Sequence, residues 1–212
     1  MDSDNSWSFD GKVVLVTGGA AGIGANLVRT LLCMNARHVA FLDVLEREGG
    51  ALEGELLNKF GALRAKFIKC DISDEEQLSA AYTQVLDKYR RLDAVINNAA
   101  VICEEEGFYK KTVDINFTHG LYKKEKVRVI TVCLGPTDTG HLFRHNSRDS
   151  QSIAEQDSEK QRVKSAVTGI MDVISRAGSG STWIIAGDKP PVDVTRNVRE
   201  GFQMISMATD LL

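Results

Sequence analysis

The chain alternates short apolar runs with stretches whose apolar residues recur every three or four positions. Val13-Val14-Leu15-Val16 is an unbroken apolar run that stops at Thr17-Gly18-Gly19. After two alanines and Gly22-Ile23-Gly24, residues 22–34 carry Ile23, Leu27, Leu31 and Met34 at helical spacing. A second apolar run, His38-Val39-Ala40-Phe41-Leu42-Asp43, predicts another buried strand. Residues 44–60 read as a helix with Leu45, Leu52, Leu56 and Phe60 inward, weakened by Gly49, Gly50 and Gly54. Residues 64–69 read as a third strand, ending at Cys70-Asp71. Ser73 is the expected N-cap of the next helix, with Glu76 at the capping-box position and Leu78, Ala81, Tyr82, Val85 and Leu86 inward to about Tyr89. Asp93-Ala94-Val95-Ile96-Asn97 is a fourth strand. This β-α-β-α-β-α-β rhythm predicts a parallel sheet covered on both faces, and right-handed crossovers give the order 3-2-1-4.

Beyond Ala100 the rhythm changes. Residues 101–107 read as acidic loop and residues 109–121 as a helix with Val113, Phe117 and Leu121 on one face. Residues 127–132 read as a fifth strand. Residues 135–157 are polar and expected to form a mobile loop. Residues 158–176 carry Val163, Val167, Ile170 and Ile174 along one side of a helix, and 182–186 form a last strand stopped by Pro190-Pro191. Residues 1–10 are expected to be a flexible N-terminus and 192–212 a C-terminal tail with a helix near Val198, Phe202 and Ile205. With no internal repeat and no linker, the 212 residues are expected to form a single domain.

Composition narrows the function. The chain is 43% hydrophobic and 26% charged, with a formal charge of -3, so it has no electrostatic footprint for nucleic acid or an anionic membrane. No apolar run approaches a membrane span. The first residues match neither a secretory nor a transit signal. Cys33, Cys70, Cys103 and Cys133 are far apart and expected to be free thiols, buried or partly buried, in a reducing compartment, which points to the cytoplasm. His141-x-x-x-His145 has metal-compatible spacing but no third ligand, so no metal is expected.

The candidate chemistry starts at the glycine turn. A strand that breaks into glycines and restarts as a helix lets backbone N–H groups approach a phosphate, with the helix's positive end aimed at it. Asp43 lies 19 residues beyond Gly24, at the end of the next strand, where a carboxylate can accept both hydroxyls of an adenosine ribose. It would repel a 2′-phosphate, and the next residue is Val44 rather than an arginine, so NAD is expected over NADP.

The spacing Gly18-x-x-x-Gly22-Ile23-Gly24 resembles the short-chain dehydrogenase/reductase family. Cys70-Asp71-Ile72 looks like that family's adenine pocket. Asn97-Asn98-Ala99-Ala100 is similar to its NNAG motif, and Leu134-Gly135-Pro136-Thr137-Asp138-Thr139 to its PGxxxT loop over the nicotinamide. The first half looks most like the insect alcohol dehydrogenase and 15-hydroxyprostaglandin dehydrogenase group. The resemblance runs over residues 9–115 and resumes over 126–187. It implies a Rossmann-like doubly wound fold, NAD held by Gly18, Gly22, Ile23, Gly24, Asp43, Asp71, Ile72, Asn97, Ala99, Thr137 and Thr139, and oxidation of an alcohol or reduction of a ketone.

The family's reaction needs a tyrosine, a lysine four residues on that lowers the phenol's pKa, a serine, and an asparagine that completes a proton relay. Asn116 matches the relay position. Only the ten residues 117–126 then separate it from the fifth strand, and no serine stands between Asn116 and Val132. One strand and most of two helices of the family fold are therefore expected to be missing, since a βαβ unit alone takes roughly 30 residues. Tyr122-x-x-x-Lys126 has the catalytic spacing, but Lys126 adjoins the strand, so the pair reads as a lysine-rich helix end. The expectation is an NAD-binding member impaired in catalysis. The alternative is a non-catalytic pseudoenzyme, or a splice or gene-model variant, acting as an interaction protein. The family is usually homodimeric, but its dimer helices are largely those expected to be missing.

Overall fold

The computed structural model describes residues 7–100, 128–139 and 160–209. The described residues fall into two compact units, each taken by itself below: residues 8–100, and residues 128–139 and 160–209 together with Trp7.

The first unit contains β1 (Val13–Thr17), α1 (Gly22–Cys33), β2 (His38–Asp43), α2 (Glu46–Phe60), β3 (Ala65–Lys69), α3 (Glu75–Tyr89) and β4 (Ala94–Ile96). Its strands form one parallel sheet in the order β3-β2-β1-β4, as the alternation predicts. β1 and the first five residues of β2 are fully buried, which is why they read as unbroken apolar runs: central parallel strands are covered on both faces. Val13 and Leu15 of β1 and Ala40 and Leu42 of β2 pack with Cys70 against Ala81 and Val85 of α3. By the two-residue period of a strand, Phe41 points to the other face, where its ring lies 5.5 Å from that of Phe67. α2 covers Phe67 with Gly49.

Two expectations about the helices change. The cap of α3 is Asp74, not Ser73: the Asp74 carboxylate accepts from the N–H groups of Glu76 and Gln77. Asp74 has the stronger acceptor, and Ser73 is occupied with Asp71 instead. Leu86, expected inward, is 43% exposed, because Ala81 and Val85 already fill the stripe facing the sheet.

The second unit contains β5 (Ile130–Leu134), α4 (Val163–Arg176), β6 (Ser181–Ile185), β7 (Val192–Asp193) and α5 (Thr195–Thr209). β5 runs parallel to β6, and β7 antiparallel to it. The fifth strand thus lies later than residues 127–132, and its partner is β6 in a separate three-stranded sheet. The buried side of α4 is Ala166, Val167, Gly169, Ile170, Met171 and Val173, so the stripe is rotated from the expected Val163–Ile174 line. Arg128 closes the far end of this helix by donating to the carbonyls of Ile174 and Ala177. Its guanidinium lies 5.6 Å from the ring of Trp7, whose N–H donates to Ser175. In the first unit, Phe9 is 1% exposed. Cys33, Cys70 and Cys133 are free; Cys33 and Cys133 are exposed rather than buried or partly buried, while Cys70 is buried.

The glycines of α2 test the packing. A Cβ on Gly49 would lie 2.3 Å from the Phe67 ring, whereas Gly50 and Gly54 have nothing within 4 Å. Gly49→Ala is expected to destabilise the protein by about 1–3 kcal/mol through overpacking. Gly50→Ala and Gly54→Ala are each expected to stabilise it by roughly 0.8–1 kcal/mol, the helix-propensity difference. Urea midpoints of the three variants check both signs.

Candidate functional site

The candidate site lies at the C-terminal ends of β1, β2 and β4, where the strand order reverses between β1 and β4; such a crevice is where open α/β sheets hold ligands. The turn out of β1 needs glycine for two reasons. Gly18 has φ +64°, and a Cβ on it would sit 2.8 Å from the Ala99 Cα. A Cβ on Gly24 would sit 2.0 Å from the Gly18 carbonyl oxygen, so the turn and the first turn of α1 are in backbone contact.

Side chains from the neighbouring strand ends hold this turn. The Asn98 amide nitrogen donates to the carbonyls of Thr17 and Gly18, both at 3.0 Å. The Thr17 hydroxyl oxygen accepts from the N–H groups of Asn98 (3.1 Å) and Ala99 (3.0 Å). From β2, the Leu42 carbonyl accepts the Gly19 N–H. Asp43 accepts the Ala20 N–H on one carboxylate oxygen (3.0 Å) and the Leu45 N–H on the other (3.1 Å). Each oxygen keeps a second lone pair for a ribose hydroxyl.

α1 begins after Ala21 with no side-chain cap and no acidic residue in its first turn. Its leading N–H groups and the positive end of its dipole are left for an anion. The donor set and the two places where a Cβ would intrude therefore fit a dinucleotide phosphate, with Gly22, Ile23 and Gly24 supplying N–H groups and Asp43 the ribose acceptor.

The other residues named from the sequence are placed less uniformly. Asp71 starts the turn into α3: its carboxylate accepts from the Ser73 N–H and hydroxyl, and its N–H donates to Gln77. Ile72 packs against the core beside Cys70. Asn97 is exposed at the end of β4, and Ala99 lies against Gly18. Thr137 and Thr139 belong to the other unit. The Thr137 hydroxyl is buried, donating to Gly135 and accepting from the Gln161 amide, whereas Thr139 is partly exposed. Residues 135–139, the start of the expected mobile loop, are bridged to Gln161 by backbone bonds from Gln161 to Pro136 and from Asp138 to Gln161. Asn116, Tyr122, Lys126, Cys103, His141 and His145 lie outside the described residues. Among the described residues, no three His, Cys, Asp or Glu side chains cluster as a metal site. Burial, aided by Asp71 and Asp74, pushes the Cys70 thiol above its ordinary pKa, so it is no nucleophile.

Sequence reasoning selected Asn97 and missed Asn98, the residue that clamps the turn. The doubled asparagine was the available signal; which of the two faces β1 follows from the alternation of a strand. Thr17 was read as the end of a strand, not as the acceptor that positions two backbone N–H groups.

A model of the short chain dehydrogenase family matches residues 12–121. The 15-hydroxyprostaglandin dehydrogenase (NAD(+)) of Homo sapiens is 38% identical over 107 residues, covering 50% of this chain and 39% of that protein. L-fucose dehydrogenase of Oryctolagus cuniculus is 43% identical over 91 residues, covering 43% of this chain and 30% of that protein. The chain thus spans well under half the length of these curated relatives. Among solved structures, a blue fluorescent protein from a metagenomic library, in complex with NADPH, has a TM-score of 0.68 at 22% identity, over 86% of this chain and 99% of that one. Levodione reductase has a TM-score of 0.67 at 17% identity, over 84% of this chain and 97% of that one. At these identities the likeness shows the fold.

Removing the clamp tests its weight. Asn98→Ala leaves the Thr17 and Gly18 carbonyls without their donor, and about 1–3 kcal/mol of stability is expected to be lost. Asn98→Asp, which cannot donate, is expected to lose at least as much at neutral pH. Equal urea midpoints for wild type and both variants would show that the amide is not what holds the turn.

Proposed function

The chain belongs to the short chain dehydrogenase family, and from that premise we propose that it binds NAD in the glycine turn and is impaired in hydride transfer. The observation that carries the cofactor choice is Asp43. Its carboxylate is braced by the N–H groups of Ala20 and Leu45 at the end of β2, beside the turn. A fixed negative charge there favours ribose hydroxyls and opposes a 2′-phosphate, and the following residue, Val44, cannot offset it. When bound, NAD would supply the hydride acceptor for a secondary alcohol. The chain's own contribution is to hold the pyrophosphate on the N–H groups of Gly22, Ile23 and Gly24 and to orient the adenosine through Asp43.

The impairment rests on residue order. Asn116 is followed within eleven residues by Val127, with no serine as far as Val132. The residues that would orient a substrate oxygen and move its proton are therefore not in register. A phenol with a pKa near 10 is a poor base at neutral pH without a cation held beside it.

NADH fluorescence is expected to saturate on the full chain, and NADPH to bind at least about tenfold more weakly, a penalty of roughly 1.4 kcal/mol. Asp43→Asn, which keeps an acceptor and removes the charge, is expected to narrow that ratio; an unchanged ratio contradicts the assignment. Secondary alcohols with NAD are expected to give no turnover, and Tyr122→Phe to change nothing. Turnover that Tyr122→Phe abolishes would overturn the impairment.

A further inference from the structure

The carboxylate at the end of β2 has a neighbour of opposite charge. Asp43, the last residue of β2, stands in register with Lys69, the last residue of β3. Strands of one sheet lie roughly 4.8 Å apart, and residues in register on a parallel pair project on the same face. The Cys70 N–H donates to the Asp43 carbonyl at 3.0 Å, which pins the two strand ends together. The ladder therefore roots a lysine beside the carboxylate that is to meet the ribose. Its flexible four-carbon stem carries a point charge suited to phosphate. Left to itself, that ammonium would offset Asp43 and attract a 2′-phosphate.

Glu46 takes this lysine first. The Lys69 Nζ donates to a Glu46 carboxylate oxygen at 2.7 Å. Glu46 is the first residue of α2, three positions after Asp43. The placement follows from packing. A Cβ on Gly49, almost one helical turn beyond Glu46, would lie 2.3 Å from the Phe67 ring, and Phe67 shares its face of β3 with Lys69. The helix that covers Phe67 thus sets the Glu46 carboxylate over the end of the strand. Arg47, the other cation at the start of α2, is turned about 100° from Glu46 around the helix axis, and residues 17–25 contain no cation.

The pair has little to do for the fold. The side chains of Lys69 and Glu46 are 62% and 69% exposed, and exposed pairs add little to stability. What the pair changes is the charge beside the ribose position. Asp43, Glu46 and Lys69 together leave one net negative charge there, whereas Asp43 and Lys69 alone would leave none.

We propose that Glu46 is a specificity-determining residue: by holding Lys69 it keeps the Asp43 charge uncompensated, so that the site rejects a 2′-phosphate. The inference rests on the reading of the glycine turn and Asp43 as an NAD site. Glu46 acts through Lys69 and is a positioning residue rather than a ligand of the cofactor.

The full-length protein is titrated with NADH and with NADPH, and the ratio of the two dissociation constants is compared among variants. Glutamine is a good helix former, so Glu46→Gln keeps α2 while removing the charge. NADPH is expected to bind Glu46→Gln about three- to fivefold more tightly than wild type, with NADH unchanged within about twofold. The double variant Glu46→Gln/Lys69→Gln, which removes both charges, is expected to return NADPH affinity to the wild-type value. A helix merely loosened by the substitution would move both nucleotides together, and the second substitution would not restore them. Equal NADPH affinity in Glu46→Gln and wild type, or a gain that survives in the double variant, overturns the inference. If Asp43→Asn narrows the ratio in that same experiment, the NAD reading stands without it. A wild type that saturates with neither nucleotide overturns both.

Discussion

The carbonyls of Thr17 and Gly18 point away from β1 just where the chain leaves the sheet, and a single side-chain amide from the end of β4 accepts the task of satisfying both. Such oxygens, partly buried and unpaired, would each cost on the order of 1–3 kcal/mol. Their pairing with Asn98 lets the turn stay tight enough for Gly24 to lie against Gly18, and that closeness brings the start of α1 to the strand ends. The Thr17 hydroxyl returns the contact by accepting from the N–H groups of Asn98 and Ala99. β1, β4 and α1 are therefore fixed to one another by side chains at the site, in addition to the ladder beneath it. Asp43 adds β2 to the same assembly through Ala20.

This arrangement separates two requirements that a glycine motif merges. Holding a phosphate needs open N–H groups and room, and residues 18–24 supply both. Choosing among nucleotides needs a charge fixed relative to that cradle, and Asp43 is fixed by two backbone N–H bonds. A freely rotating surface acid would hold no such fixed position. Hydride transfer is a third requirement, on which neither the turn nor Asp43 bears.

What could be read from the chain alone follows from burial. β1 and β2 were legible because strands covered on both faces must be apolar at every position. β3 and β4, at the edges of the sheet among the described residues, mix buried and exposed positions, yet the turn chemistry around them kept their placement correct. The fifth strand was harder. Residues 127–134 are apolar enough that the window could slide, and pairing with β6 sets it at Ile130–Leu134. The helical stripe of α4 was misjudged because Ala166 and Gly169 are small: Gly169 approaches Ile185 closely, so the contact face centres on residues without an apolar signal. At the site, spacing placed the glycines in the turn after β1 and Asp43 at the end of β2. It did not single out Asn98, whose bonds depend on which way a strand-end side chain faces. The contacts of His38 with Leu63 and Tyr89 left no pattern, since they join residues 25 and 51 positions apart.

The central claim is that the N–H groups opening α1, together with Asp43, form the nucleotide site. It is tested most directly by the backbone amide spectrum of the full-length protein titrated with NAD. The account predicts saturable shifts at Gly18, Gly22, Ile23 and Gly24 and at the Ala20 and Leu45 amides that brace Asp43, with little change at the His38 end of β2. Absence of shifts at the turn, or saturable shifts confined to other residues, would contradict it.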